Sequence, residues 1–366
     1  MEKSSVYFID FRTSSKQNIL AKLKMLLIKA GIEKIDFSKK MVAIKIHFGE
    51  PGNLSYIRPN YAAQVVKLIQ EKDGLPFLTD ANTLYKGKRA NAVDHLHAAM
   101  ENGFNPMAVG CNVIIADGLK GTEYREITID QKHCKTAKIG SAIADADIII
   151  TMSHFKGHEM AGFGGCIKNT GMGSGSIGGK MEMHSNSTPV INPDNCTACK
   201  VCERNCSHEA VHIKNKVAVI DEEKCVGCGQ CVAVCQYDAA QVQWEAAKMN
   251  EKMAEYALAV LDGKPSFHIN FLMDISPNCD CWNFNDMPIV PNIGILASTD
   301  PVALDIASAD LVNKAPVNYN CVLAENTHNH DDKFKAIFPN TDWKVCMNHA
   351  SEIGLGLMEY ELIKIE

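Results

Sequence analysis

The chain carries fifteen cysteines, and eight of them fall between Cys196 and Cys235 in two matching runs. The first reads Cys196-x-x-Cys199-x-x-Cys202-x-x-x-Cys206, and the second Cys225-x-x-Cys228-x-x-Cys231-x-x-x-Cys235. Their flanks echo each other too, with Ala210-Val211 after the first run and Ala239-Ala240 after the second, which marks a duplicated unit. Three thiolates at two-residue gaps wrap one corner of a cubane, because a tight loop can turn each sulfur toward one centre. The fourth ligand must then come from the opposite side. Such loops expose backbone N–H groups that can bond cluster sulfides, and the small residues Ala198, Gly227 and Gly229 permit the close approach. Zinc held by CxxC pairs is the alternative, but zinc does not need a third and fourth cysteine in this phase, twice over.

A second group of reactive types lies outside these runs. His154, Lys156 and His158 follow an apolar stretch, and Lys168 and Asn169 come soon after, among many glycines. On a helix, His154 and His158 would share a face and could share a metal; in an extended loop they point apart and suit an anionic substrate. Glycines let backbone N–H groups approach an anion, and lysines supply charge. Cys279 and Cys281 form a C-x-C beside Trp282, and alternate residues on an extended chain face the same way. Both thiols could therefore reach one additional metal or one substrate. A disulfide between them is disfavoured by geometry and by compartment. Cys166, near His158, is a weaker nucleophile or ligand candidate, and His47 and Glu50 can complete a polar pocket. His328 and His330 read as a solvated turn, and Cys111, Cys134, Cys321 and Cys346 as core. Gly173-Ser-Gly175-Ser-Ile-Gly178 matches GxGxxG in form, yet no strand leads into it, so a dinucleotide reading fails its context. The segment Gly171–Lys180 reads instead as a flexible active-site loop or a linker.

These residues need elements to hold them. The chain has 366 residues, 46% hydrophobic and 22% charged, which excludes wholesale disorder. A net charge of −6 argues against nucleic acid as a partner. The N-terminus MEKSSVYFID has no signal-peptide pattern, and apolar runs such as Ile148–Met152 are too short to span a bilayer. The expectation is a cytoplasmic protein with reduced thiols, no membrane partner and an unspecified oligomeric state. Strands are predicted at Val6–Ile9, Met41–Phe48, Pro76–Thr79, Val113–Ala116, Tyr124–Ile129, Asp147–Met152, Phe267–Met273 and Ile293–Leu296. Helices are predicted at Lys16–Gly31, Asn60–Lys72, Ala90–Asn102, Ala137–Ala144, Gln241–Leu261 and Pro301–Val312. This order predicts a layered α/β sheet domain with helices on both faces, split into residues 1–187 and 244–366 by an inserted α+β unit at 188–243. In such sheets ligands bind at the carboxyl ends of the strands, where Lys45-Ile46-His47, Thr79-Asp80 and Ser153-His154 stand.

The inserted unit resembles a bacterial two-cluster ferredoxin over about 55 residues, although Ser207 and Gln236 replace the usual proline after each fourth cysteine. The resemblance implies two 4Fe-4S clusters with crossed ligation: Cys196, Cys199, Cys202 and Cys235 on one, Cys225, Cys228, Cys231 and Cys206 on the other. The motifs KIHFGEPGN, FLTDANTLYKGKRANAVDH, HFKGHEMAGFGGCIKNTGMG, SPNCDCW and PNIGILASTDPVALD resemble the family known as "domain of unknown function 362". Members of that family commonly carry an inserted two-cluster ferredoxin. More remotely, the chain is similar to the N-terminal domain of nickel-pincer lactate racemases, a fold-level analogy. The expected function is a ferredoxin-dependent oxidoreductase of anaerobic type. Electrons from a partner protein would pass through the clusters to an anionic small substrate held by Lys156, Lys168 and Asn169, with His154 or His158 as proton donor. The alternatives are an electron-transfer or docking protein without its own catalysis, and a metal-centre or cluster-handling factor. An enzyme should enclose these residues in a pocket; a docking module should display them on a flat face.

Overall fold

The structure is a computed structural model that describes residues 3–84, 87–184, 189–206, 209–225, 231, 235, 237, 239–241, 246–324 and 331–365. Cys228, Ser207, Gln236, His328 and His330 lie outside the described residues.

One eight-stranded sheet organises the chain. Its strands are β1 (Ser4–Asp10), β2 (Met41–Ile46), β3 (Leu75–Asp80), β4 (Val113–Ile115), β7 (Ile148–His154), β14 (Ser266–Leu272), β15 (Gly294–Ser298) and β16 (Tyr360–Lys364). The spatial order is β16-β1-β15-β14-β7-β2-β3-β4. Only β15 runs against its neighbours; the pairs from β14 through β7, β2 and β3 to β4 are all parallel. Strands from both sides of the cysteine-rich segment therefore share one sheet. Four small two-stranded units complete the count: β5 (Tyr124–Thr128) with β6 (Thr136–Gly140), β8 (Lys156–His158) with β9 (Gly162–Gly164), β10 (Val190–Ile191) with β13 (Ala240–Gln241), and β11 (Val211–Lys214) with β12 (Val217–Ile220).

The strands are buried on both faces, so alternate residues feed two cores. Val42, Ile44, Ile46, Ile148, Ile150 and Met152 pack on one side against Leu23, Leu27, Val65 and Ile69 of the helices Ile19–Lys29 and Pro59–Gln70. Ala43, Ile149 and Leu272 pack on the other against Met253, Ala257 and Val302 of the helices Ala246–Leu261 and Pro301–Lys314. Each fully buried isoleucine stabilises by about 1.5–3 kcal/mol relative to exposure. Asn18, Asn91 and Asp300 cap three helices by accepting backbone N–H groups, and Pro301 occupies the first turn of the last of these.

Two predicted elements are corrected. Ala137–Ala144, expected as a helix, is strand β6 followed by a single turn at Ser141–Ala144. Pairing with β5 and burial of Ala137 and Ile139 on alternate positions outweigh the helix propensity of its alanines. Gly171–Lys180, expected as a flexible loop, instead joins two helices, Cys166–Ser174 and Ile177–His184, through Gly175 and Ser176.

In the cysteine-rich segment the β11–β12 hairpin turns on Asn215 and Lys216, both at positive φ (52° and 64°), as a two-residue turn requires. Its small core of Val211, Ala218, Cys231 and Ala240 also packs Cys196, Cys202, Cys206 and Cys235. Among the described residues no helix is long and apolar enough to cross a membrane.

Candidate functional site

The chain leaves β2 toward β3 on one side, while β7 leads to β14 on the other, so the connections diverge between β2 and β7. In parallel sheets such a point opens a crevice at the strands' carboxyl ends. A crevice of about 470 Å³, part of it open to solvent, lies there. It is lined by Lys45 near the end of β2 and His47 just after it, Asp80 at the end of β3, Arg89 from the following loop, and Lys156 from β8. Lys168, Asn169 and Gly173 come from the helix Cys166–Ser174, Lys180 from the next helix, and Cys279 and Cys281 from the loop after β14.

Five cations thus face one lining carboxylate. Lys45 is only 1% exposed, in the middle of an apolar strand, and its ammonium pairs with Asp80 at 2.8 Å and donates to Asn169 Oδ1 at 2.8 Å. Burial lowers its pKa and Asp80 opposes that shift. Asp80 is itself held low, Lys45 and its other cationic neighbours outweighing the burial that would raise it. Arg89, also 1% exposed, donates from Nε to Glu50 at 2.8 Å and sits 3.8 Å from Asp80. Its Nη1 lies 2.9 Å from His47 Nε2, and desolvation with the guanidinium beside it pulls His47 down to about 3. His47 is therefore neutral and adds no charge.

Lys156 bonds the carbonyl of His154 at 3.0 Å and stands 3.4 Å from Asp280. Lys180 donates to the carbonyl of Gly175 at 2.6 Å, and burial brings its pKa down to about 8. Lys168 meets Cys279 Sγ at 3.7 Å; burial would depress its pKa, but Cys279 and Cys281 hold it up. The two cysteine sulfurs are 3.1 Å apart, and Cys281 Sγ is 3.5 Å from His47 Nε2. Asp280, between them, turns the other way and is held by His154 Nδ1 at 2.9 Å. Its backbone carbonyl accepts from Glu50 N at 3.1 Å, which ties the loop to the end of β2.

The expected site residues divide accordingly. Lys156, Lys168, Asn169, Cys279 and Cys281 come together in the cavity. Asn169 turns its amide inward to donate to the carbonyls of Lys45 and Met152 and to Ser153, so it positions Lys45 and does not face a ligand with that group. His158 accepts from Met160 N and Ala161 N at Nδ1, which leaves the proton of the neutral ring on Nε2, and the side chain hydrogen-bonds Cys279. Neither His158 nor His154 is in the lining. The nitrogens of His154 are committed to Asp280 and to the Met273 carbonyl at 2.8 Å, which corrects its expected role as proton donor to one of orienting Asp280. His154 and His158 do not share a metal: they lie on separate strands with separate partners.

The glycine-rich backbone does meet an anion, but it is the protein's own. Asp305 accepts from Cys166 N at 2.7 Å and Ile167 N at 2.9 Å at the start of the helix, and Gly165 leaves room for it. Burial raises Asp305 to about 6 against these bonds. Cys166 is buried and its thiol is pushed up, chiefly by burial, so it is no nucleophile. Of the other charged lining residues, Lys45 and Asp80 stood at strand ends in the sequence without an assigned role, and Arg89 and Lys180 were not singled out. A lysine inside the apolar run MVAIKI was the available signal for Lys45; Arg89 had none.

The cysteine-rich unit has its own cavity, of about 290 Å³, lined by Cys196, Cys199, Cys202 and Cys235 together with Ile191, Ile213 and Tyr237. Ala218 N donates to Cys196 Sγ and Ala210 N to Cys206 Sγ, both at 3.3 Å. Among the described residues no group of three or more His, Cys, Asp or Glu is gathered as a single metal ion requires.

Two solved structures are distantly similar. The lactate racemase apoprotein from Thermoanaerobacterium thermosaccharolyticum matches with 12% identity and a TM-score of 0.40, over 74% of this chain and 51% of that one. A protein from Thermotoga maritima matches with 12% identity and a TM-score of 0.38, over 71% of this chain and 52% of that one. The chain thus spans about half the length of each. No curated protein matches the sequence. Residues 42–310, which include both the cavity and the cysteine-rich unit, match the family described as Domain of unknown function (DUF362), and the chain belongs to that family.

Proposed function

We propose that the chain is an iron–sulfur protein that reduces an anionic small molecule in the cavity between β2 and β7. Two 4Fe-4S clusters would be held by Cys196, Cys199, Cys202 and Cys235, and by Cys206, Cys225, Cys228 and Cys231. What supports this is that Cys196, Cys199, Cys202 and Cys235, the set expected on one cluster, line a single cavity. The N–H donors on Cys196 and Cys206 fit sulfurs that carry negative charge. Such clusters supply single electrons and no protons.

The observation that carries the substrate class is the set of five cations around one space. Lys45, Arg89 and Lys156 are partly balanced by Asp80, Glu50 and Asp280. Lys180 and Lys168 have no carboxylate in hydrogen-bond contact among the described residues, so they are the charges left for a ligand. His158, with its proton directed at Cys279, is the nearby proton source. A docking platform would expose these groups on a flat face, whereas Lys45, Arg89, Lys156 and Lys180 are each at most 7% exposed.

Two measurements test the proposal. Anaerobically purified protein should contain iron and sulfide for two four-iron clusters per chain, and a smaller stoichiometric content, or zinc instead, overturns the cluster assignment. Calorimetric titration with small phosphates and carboxylates should find a ligand whose binding weakens about tenfold in Lys168→Gln. Binding indifferent to that change overturns the anion site.

A further inference from the structure

The C-x-C has a geometry that anion binding alone does not use. Cys279 and Cys281 place their sulfurs 3.1 Å apart at the wall of the cavity, and the intervening Asp280 is pinned to the opposite side by His154 and Lys156. Both thiols are free, so this is a contact and not a bond. The contact brings the two sulfurs within reach of each other. A cation, Lys168, lies 3.7 Å from Cys279, and His158 bonds the same sulfur.

We propose that Cys279 and Cys281 are a reacting dithiol, Cys279 attacking and Cys281 resolving, and that its substrate is an anionic disulfide held in the cavity. This rests on reading the cavity as an anion site.

The two sulfurs differ in the way the reaction requires. The hydrogen bond shared with Cys281, and then Lys168 and Lys156, hold Cys279 well below the ordinary thiol value against the effect of burial. The same hydrogen bond, with burial, pushes Cys281 well above it. Of the two, Cys279 is thus the one favoured as thiolate and Cys281 the one favoured as thiol. The Cys279 thiolate attacks one sulfur of the substrate, forming a mixed disulfide and expelling the first substrate thiolate. Cys281 then loses its proton and attacks Cys279 Sγ, which closes the Cys279–Cys281 disulfide. The second substrate thiolate leaves, and it takes up the proton. Two electrons pass to the substrate and no other reactant is consumed. A dithiol such as dithiothreitol restores the pair.

A metal on this pair is the competing idea, but Lys168 and Arg89 flank the sulfurs with positive charge. His47 and His158 each lie beside one of the sulfurs, but among the described residues no group of three or more His, Cys, Asp or Glu is gathered as a single metal ion requires.

The test uses the intact protein under anaerobic conditions. The probes are 2-sulfonatoethyl methanethiosulfonate, which is anionic, and its cationic trimethylammonium analogue. Peptide mass mapping follows the modification of each cysteine over time. In the wild type the anionic reagent should react first at the peptide bearing Cys279, about tenfold faster than the cationic one, and leave a Cys279–Cys281 disulfide with no retained adduct. Cys281→Ala should keep the fast reaction and retain the adduct on Cys279. Lys168→Gln should slow it about tenfold while its circular dichroism matches the wild type. A persistent adduct in the wild type, a faster reaction with the cationic reagent, or first reaction at another cysteine overturns the proposal. Failure of the cluster assignment shows separately, as low iron and reaction across Cys196–Cys235.

Discussion

Lys180 shows how one buried cation sets a pH limit for the site. Its ammonium rests on the carbonyls of Gly175 and Gly173, and burial brings its pKa to about 8. The affinity of the cavity for a small anion should therefore fall as pH rises through about 8, and Lys180→Arg, which stays charged, should remove that fall. Calorimetry between neutral and alkaline pH checks both. Asp280 makes the opposite kind of contribution. It is fully buried and faces both His154 and Lys156, so Asp280→Asn leaves buried positive charge uncompensated. Urea unfolding should show a loss of about 3–5 kcal/mol. These roles were only half legible in the sequence. The types and spacing of Lys156, Lys168, Cys279 and Cys281 pointed to residues that the crevice brings together. His154 carried the same signal, but its nitrogens are consumed by partners 119 and 126 residues away, which no local pattern records. Arg89 was hidden for the same reason, because its meaning depends on Glu50 and Asp80.

At the scale of elements, the glycine-rich stretch is where local reading failed. Glycine weakens helices, so Gly171–Lys180 suggests a loop. The glycines are instead places where another group comes too near for a side chain. A Cβ on Gly171 would lie 2.1 Å from the carbonyl of Met253, so the helix Cys166–Ser174 packs there against the backbone of the helix Ala246–Leu261. A Cβ on Gly173 would lie 2.5 Å from Lys45 Nζ. The two positions separate packing from function. Gly171→Ala meets rigid backbone and should cost about 1–3 kcal/mol in urea unfolding. Gly173→Ala meets the mobile end of a lysine, so stability should change less while anion affinity drops as Lys45 is displaced. Equal effects of the two on both measurements would show that the stretch does not work this way. The regular strands and the capped helices were readable, because alternation in MVAIKI and the Asp300–Pro301 start carry their own signal.

At the scale of the whole molecule, strands before and after the cysteine-rich unit interleave in one sheet, so the order β14-β7-β2 and its crevice exist only when both halves of the chain are folded together. That coupling makes global stability a readout of the buried polar groups beneath the cavity. His268 on β14 is fully buried against Thr151 on β7, and burial lowers its pKa to about 3. His95 is also fully buried and held well below its ordinary value, chiefly by burial. An unfolded histidine titrates near 6.5, so each of these groups contributes stability that is complete above about 6.5 and is lost as pH falls toward the folded value. Asp305, raised by burial to about 6, works in the other direction. Its contribution is present below about 4 and is lost as pH rises through about 6. His47 and His184 are lowered in the same way and Asp117 is raised like Asp305, so between about pH 4 and 6 the histidines outnumber the raised acids and the wild type should lose stability on acidification. His268→Asn should flatten the dependence by about 1.4 kcal/mol per pH unit, and Asp305→Asn should steepen it by a similar amount. Urea unfolding at pH 7, 6 and 5 measures all three. If the two substitutions moved the slope in the same direction, the charge states assigned to the sheet's polar face would be wrong. The proposed anion site between β2 and β7 would then need a different electrostatic foundation.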